Sequence, residues 1–414
     1  MKRLTVQRIL FPTWIILLVT ALVAALGAAF IVFTHGLVVT NLSDLVPWGL
    51  WITIDLSAVA LGAGAFLLSA AVYLLGIKEL VPVARTAVFI GLLGYTMACM
   101  TLLLDIGRPD RFWHALAYWN VHSPLWEVTM CITFYLMVLM LEVMPIFGRA
   151  DWLRNRWPRV AQSLHSIHRF SPILAVVGLG LSMLHQSSLG ATYGVLKARP
   201  IVYRPGLAVL FIVSAMAAGP ALTVLVSKLA AALTPRARVS HELLDKVSRF
   251  AGWTLVAYLY FRFWETLSMT YTYEPGRSEG LQILTSGSLA FNFWIGEILL
   301  GALVPMIILL SDRLRRDEGL HVLALALVVG GLVAYRWDTN IVSQIVVFQY
   351  LPQELIPRYT QYVPSLIEIV AGTGVIAYGL LGFTLGVRYL KIVDHGEVLD
   401  AIPVVPGAVV MAGD

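Results

Sequence analysis

The sequence is poor in cysteine, and this shortage restricts how the chain could carry electrons. Only Cys99 and Cys131 are present among its 414 residues. An iron–sulfur cluster needs four ligands of this kind, and no C-x-x-C-H haem attachment motif occurs. We therefore expect no iron–sulfur cluster in this chain. The two cysteines are expected to be small buried residues within helices.

Charged residues are also scarce. Only 13% of the chain is charged, 59% is hydrophobic, and the mean hydropathy is +0.81. This composition excludes a soluble protein. No period-2 alternation of the barrel type is seen, so the membrane spans are predicted to be helices.

Ten segments are long enough to cross a bilayer core, which takes roughly 20 apolar residues per helix. We predict an all-α integral membrane protein, a single membrane domain over 1–414, with spans at about 12–34, 48–75, 84–104, 124–147, 167–189, 205–231, 249–271, 289–311, 319–337 and 365–388. The first apolar run exceeds the ~7–15 residues of a signal-peptide core, so we expect it to be a retained helix.

Lysine and arginine are distributed unevenly between the predicted connections. They are concentrated at the N-terminus (Lys2, Arg3, Arg8) and in the connections that lie on the same side of the membrane. The positive-inside rule then predicts that both termini are cytoplasmic. The isoelectric point of about 9.2 is explained by this topology and does not indicate nucleic-acid binding.

The ionisable and amide side chains within or next to the spans fall mostly in the outer half. A charge in the hydrocarbon core costs several kcal/mol, so such groups face the helix bundle and usually serve a function. The set is Asp55, Asp105, Glu127, His185, Gln186, Arg262, Glu265, Glu297, Arg336, Asp338 and Glu368.

Part of this set has a purely structural explanation. Arg262 and Glu265 stand one helical turn apart and are predicted to form an ion pair. Glu297 and Glu368 are expected to pair with Arg336 across helices.

Asp55 favours a functional role. Trp48, Trp51 and Asp55 are spaced i, i+3 and i+7, which places an acid below two indoles on one helical face. Together with His185, Gln186, Asp105 and Glu127, it forms a set of acids and a histidine in an apolar setting. Two-electron, two-proton quinone chemistry needs such groups as donors and acceptors.

Two other interpretations remain open. The tryptophans near this surface are typical of an interfacial belt, although one or two could wall a flat quinone ring. Haem between histidine pairs is the second alternative, but the histidines lie near segment ends and none is mid-helix.

Four motifs resemble those of the NrfD/PsrC superfamily, in particular its longer branch of the HybB, DsrP and QrcD type. They are "VPWGLWITIDLSAVALGAGAF", "DIGRPDRFWHALAYWNVHSPLWEV", "LHQSSLGATY" and "PSLIEIVAGTGVIAYGLLGF". The resemblance implies a first four-helix bundle at 48–189 that holds a quinone site and a second at 205–337. Flanking helices are implied at 12–34 and 365–388.

The resemblance also implies a set of quinone-pocket residues, with Asp55, His185 and Glu127 as proton donors or acceptors. The pocket set is Trp51, Asp55, Asp105, Arg108, His122, Glu127, His185 and Gln186. The smaller members of the superfamily carry other residues at the position of Asp55. Menaquinone or another quinone would be the bound substrate, with no haem, iron–sulfur cluster or metal site in this chain.

The implied partners are a ferredoxin-like iron–sulfur subunit on the outer face and a periplasmic multihaem cytochrome, molybdopterin-type or hydrogenase subunit. The leading hypothesis is therefore the quinone-interacting membrane anchor of a respiratory oxidoreductase complex. It would lie in a bacterial or archaeal cytoplasmic membrane with its functional face toward the periplasm. The alternatives are a secondary transporter built on Arg262, Glu265 and Glu297, or an anchor without quinone chemistry. Proton coupling, the direction of electron flow and the identity of the complex stay open.

Overall fold

The computed structural model describes residues 2–234, 237–271 and 274–394. Its long helices are α1 (Lys2–His35), α2 (Leu50–Tyr73), α3 (Val81–Asp105), α4 (Pro124–Gly148), α5 (Ser171–Gly194), α6 (Gly206–Leu233), α7 (His241–Tyr271), α8 (Asn292–Leu310), α9 (Glu318–Ile345) and α10 (Leu366–Tyr389). Short helices occupy Gly36–Val39, Lys78–Leu80, Pro109–Arg111, His114–Ala117, Asp151–Arg156, Pro158–Ser166, Ile167–Phe170, Arg277–Thr285 and Asp312–Arg315.

Within the described residues, nine helices are long and apolar enough to cross a membrane. The chain is thus a mostly helical protein of the membrane type, as predicted. Helix α7 is not among the nine, and it carries Arg262 and Glu265. The tenth span stays a prediction. So does the cytoplasmic placement of both termini, which involves residue 1 and residues 395–414 outside the described ranges.

Two helices extend further than the hydropathy pattern predicted. Helix α5 reaches Gly194 rather than 189, and α9 reaches Ile345 rather than 337. Both extensions contain polar side chains, such as Asn340 and Gln344, that are buried and hydrogen-bonded to other helices. In the sequence, these polar residues look like the end of a membrane span, although the helix continues through them.

A β-hairpin follows α9 and was not predicted from the sequence. Strands β1 (Val346–Leu351) and β2 (Glu354–Tyr359) pair antiparallel, with Val346 opposite Tyr359. The backbone N–H of Phe348 donates to the carbonyl of Ala198 at 2.8 Å. The hairpin is therefore attached to the connection between α5 and α6.

The helices pack in an order that places α2 centrally. Helix α2 contacts α3, α6 and α9, whereas α4 packs on α5, α8 on α9, and α1 along α10. We call the end of the bundle at which α2 begins and α3 and α5 finish the polar end. The opposite end is called the basic end.

Helices α2 and α6 meet backbone to backbone where α2 is interrupted at Ala63. A Cβ atom added to Gly64 would lie 2.5 Å from the carbonyl carbon of Gly219. Neither backbone can move away without shifting a whole helix. Glycine at both positions is what permits this contact.

Gly64→Ala is therefore expected to destabilise the protein by about 1–3 kcal/mol, the usual cost of overpacking. Thermal unfolding of the purified protein in detergent measures the effect. Gly180→Ala on α5 is the matched control, because nothing lies within 4 Å of its added Cβ. Equal melting temperatures for the two variants would contradict the close α2–α6 contact.

Candidate functional site

A buried carboxyl group of α2 and a partly buried one of α3 approach each other at the polar end. Asp55 lies in the second turn of α2 and is 4% exposed, and Asp105 is the last residue of α3. The two side chains are near enough to interact electrostatically. The helix ends thus bring together two acids that are 50 positions apart in the sequence.

His185 of α5 is also buried, at 1% exposure. Its Nδ1 is hydrogen-bonded to the hydroxyl of Tyr95 on α3 at 2.9 Å. Tyr95 in turn packs edge-on against Tyr135, with ring centroids 4.1 Å apart. Tyr95 could not be recognised as a site residue from the sequence, because a tyrosine in an apolar helix is not unusual.

Several polar atoms of this group have no hydrogen-bond partner among the described residues. They are Oδ1 of Asp55, Oδ1 of Asp105, and both Oε1 and Nε2 of Gln186. An unsatisfied buried polar group costs about 1–3 kcal/mol. Donors and acceptors oriented in this way suit a ligand that carries carbonyl or hydroxyl oxygens, or ordered water.

A hydrogen-bond network from α9 holds the start of α2 next to this group. The Nδ2 of Asn340 donates to the carbonyl of Gly49 at 2.9 Å and to Thr53 at 3.1 Å. Its Oδ1 accepts from the hydroxyl of Tyr193 at 2.8 Å. Trp48 packs edge-on against Tyr193, 5.2 Å between ring centroids. Asn340 thus ties α2, α5 and α9 together.

Trp51 is buried against α10, at 1% exposure. Its indole N–H donates to the backbone carbonyl of Glu368 at 3.0 Å, and it packs in a cluster with Ala371 and Val375. In this structure Trp51 fixes α10 against α2. Its predicted place in a quinone pocket stays a prediction.

The remaining predicted residues belong to the connection between α3 and α4 at the polar end. Arg108 and His122 are exposed. Arg108 pairs with Asp110 at 2.9 Å, and hydrogen bonding from its guanidinium lowers the pKa of Asp110. Glu127 lies in the first turn of α4, as predicted, and accepts a hydrogen bond from Ser188 at 2.8 Å. Two predicted acids stand at the ends of this connection. Asp105 lies with the buried group, whereas the Glu127 side chain is exposed.

A second buried polar cluster lies between α7, α8 and α9. Arg262 binds Glu297 through Nε at 2.7 Å and Glu265 through Nη1 at 2.8 Å, so the predicted Arg262–Glu265 pair is confirmed. Arg204 adds an ion pair to Glu265 at 3.0 Å. Every member of this ion-pair chain is buried or nearly so.

The expected pairing of Arg336 with Glu297 or Glu368 is wrong. Arg336 donates to the Phe211 carbonyl and to Ser214, both at 3.2 Å, and stacks on the Phe211 ring at 3.6 Å. Glu368 caps its own helix through Ser365 and also accepts from Asn41. Rotation of each helix about its axis decided these partners, and hydropathy carries no information about it.

Among the described residues, no group of three or more histidine, cysteine, aspartate or glutamate side chains is arranged to hold a metal ion. The free thiols Cys99 and Cys131 lie on α3 and α4 and form no disulfide.

Taken together, these features define a multi-spanning helical membrane protein with a buried, partly unsatisfied acid–histidine group at one end of its bundle. The chain belongs to the NrfD family, since the family model described as "Polysulphide reductase, NrfD" matches residues 38–347. The resemblance found in the motifs is thereby confirmed.

Curated relatives match over nearly the whole chain. The integral membrane subunit of menaquinone reductase from Nitratidesulfovibrio vulgaris is 38% identical over 378 residues, which cover 89% of this chain and 88% of that protein. A selenate reductase subunit of Mesobacillus selenatarsenatis is 25% identical, with coverage of 90% and 93%. The Hdr-like menaquinol oxidoreductase integral membrane subunit of Archaeoglobus fulgidus is 26% identical, with coverage of 94% and 95%.

Proposed function

We propose that this chain is the quinone-interacting membrane subunit of a respiratory oxidoreductase complex. The observation that carries the proposal is the set of buried oxygens of Asp55 and Asp105 that have no hydrogen-bond partner among the described residues, together with the buried His185–Tyr95 hydrogen bond. The reaction is quinone plus two electrons and two protons giving quinol, or the reverse. Two relatives named as menaquinone reductase and menaquinol oxidoreductase subunits support menaquinone as the substrate.

Each side chain of the site has a separate role in this reaction. Asp55 and His185 act as proton donors or acceptors toward the quinone oxygens, which are weakly basic until electrons arrive. Asp105 and Gln186 orient the ring by hydrogen bonding, and Glu127 exchanges protons through Ser188 at the mouth of the site. Trp51 holds α2 in register and contributes indirectly.

Electrons reach the quinone from outside this chain. An iron–sulfur subunit of the ferredoxin type would dock on the polar end, where Arg108 and His122 are exposed. The iron–sulfur subunit would in turn bind a multihaem cytochrome, molybdopterin-type or hydrogenase subunit. Relatives named as parts of selenate and polysulfide reductases support a multi-subunit complex.

The proposed topology has ten spans, with α7 as the seventh, and a periplasmic polar end in a cytoplasmic membrane. The bundles at 48–189 and 205–337 divide the chain, and α1 and α10 flank the first. The concentration of basic residues at the opposite end supports this orientation.

Saturable binding of a quinone analogue to the purified complex tests the proposed function. A photoreactive menaquinone analogue is expected to label peptides from α2, α3 and α5, and unmodified menaquinone should compete. Labelling confined to α7–α9, or labelling that menaquinone does not compete, would contradict the site. Absence of saturable binding would instead indicate a structural anchor.

Proton uptake from the basic end has one structural support. A cavity of about 70 Å³ lies there between α2, α3, α4 and α5, and its lining includes Glu142, Arg85, Arg149 and His168. Glu142 is 9% exposed, and one of its oxygens has no hydrogen-bond partner within the described ranges. A polar cavity of this size has room for ordered water. Such water would carry protons from the basic end to Glu142.

Glu142→Gln should therefore lower the membrane potential that the complex generates in proteoliposomes severalfold, while quinone binding is unchanged. A potential-sensitive dye measures the effect, and exposed Glu354→Gln in the hairpin is the control. Turnover of the wild-type complex without any membrane potential would remove the proton hypothesis altogether.

A further inference from the structure

The second buried cluster includes a helix of unusual geometry. The segment Asn292–Leu303 of α8 is a π-helix, and Glu297 lies at its middle. π-helical turns are rare and often occur at functional sites, because they widen the helix and redirect a side chain. Here the widened helix directs Glu297 into the space between α7 and α9.

Asp338 of α9 faces this space with one oxygen unpaired. Its Oδ1 accepts from Nδ2 of Asn292 at 2.7 Å, whereas its Oδ2 is buried with no donor among the described residues. Asn292, which donates to Asp338, stands five residues before Glu297, one π-helical repeat, so both carboxyl groups enter the same space between α8 and α9. Both residues are almost fully enclosed, at 0% and 1% exposure.

The donors around Glu297 do not extend to Asp338. The Oε1 atom of Glu297 accepts from the Tyr258 hydroxyl and from Nε of Arg262, both at 2.7 Å. From the residues that the structure describes, its Oε2 accepts one longer bond, from Nη2 of Arg262 at 3.2 Å. Ionised carboxylates are acceptors without a donor, so two of them facing each other lack a hydrogen between them.

We propose that Asp338 and Glu297 hold one exchangeable proton between them, which makes the second helix bundle a proton-binding site of its own. The shared hydrogen supplies the donor that Oδ2 of Asp338 lacks. Arg262 balances the single negative charge that remains on the pair.

This site has a polar connection toward the first bundle. A cavity of about 20 Å³ is lined by Glu297, Tyr258, Tyr335 and Ser214, and it has room for one water molecule. Ser214 accepts from Arg336, which stands one helical turn before Asn340 on α9. Asn340 in turn donates to Thr53 of α2, two residues before Asp55, so polar side chains lie between the pair and the first bundle.

Infrared difference spectroscopy of the purified complex tests the proposal without relying on quinone chemistry. The wild-type protein is expected to show a protonated carboxylic acid band that shifts in D₂O. Asp338→Asn and Glu297→Gln should each remove this same band. Asp338→Glu keeps a carboxyl group and should shift the band rather than remove it.

Glu265→Gln is the matched control. Glu265 forms ion pairs with Arg262 and Arg204 on the other side of the guanidinium from the proposed pair, so its replacement should leave the band unchanged. An unchanged band in Asp338→Asn and Glu297→Gln would overturn the shared proton, as would loss of the band in Glu265→Gln alone. Should the asparagine and glutamine variants not assemble, a band that Asp338→Glu leaves unshifted would overturn the proposal as well.

Discussion

Asp55→Asn is expected to slow quinone turnover of the assembled complex by about 10²-fold or more, the contribution of a positioned general acid or base. The amide keeps the size of the side chain and can still donate a hydrogen bond, but it cannot release or accept a proton at neutral pH. Because Asp55 is 4% exposed, bulk water does not easily replace it. Steady-state reduction of a menaquinone analogue measures the effect.

The control for this prediction is Asp44→Asn, in the exposed connection between α1 and α2. It should retain the wild-type rate. His185→Ala should also lose most of the activity, because the Tyr95 hydroxyl would lose its partner at 2.9 Å. If Asp55→Asn and His185→Ala both assemble and both turn over quinone at the wild-type rate, the pocket lies elsewhere.

Arg262→Met is expected to reduce the stability of the protein by about 3–5 kcal/mol, the usual cost of removing one partner of a buried ion pair. Glu297 would lose two hydrogen bonds and Glu265 one. All three side chains are at most 6% exposed, so water cannot take the place of the guanidinium. Thermal unfolding of the purified protein in detergent reports the loss.

Two further variants test whether the loss of stability arises from the burial of these charges. Arg249→Met removes an exposed pair with Asp312 at 2.8 Å and should cost no more than about 1 kcal/mol. The double variant Arg262→Met/Glu297→Gln should recover part of the loss, since it removes one of the uncompensated charges. Equal destabilisation by Arg262→Met and Arg249→Met would show that the cluster is hydrated.

The position of the candidate site could be predicted from the sequence, but its composition only in part. Asp55, His185 and Gln186 stand out because a polar side chain in an apolar span is costly and therefore conspicuous. Tyr95 and Asn340 were not predicted, since tyrosine is common in such helices and Asn340 lies beyond the predicted end of its span at 337. Arg108 and His122 were carried over from motif resemblance, and the structure places both on the surface.

Chain order and hydropathy by themselves determined that this is a helical membrane protein with its polar residues gathered at one end. This is possible because the length and apolarity of a membrane span can be counted along the chain, and a span in lipid must pair its own backbone groups. Only the tertiary structure decided which polar groups meet: the Trp51 indole with the Glu368 carbonyl, Arg336 with the Phe211 carbonyl, and Asp338 with Asn292. These partners depend on the rotation and depth of each helix, and the close α2–α6 contact and the π-helical turn in α8 alter both locally.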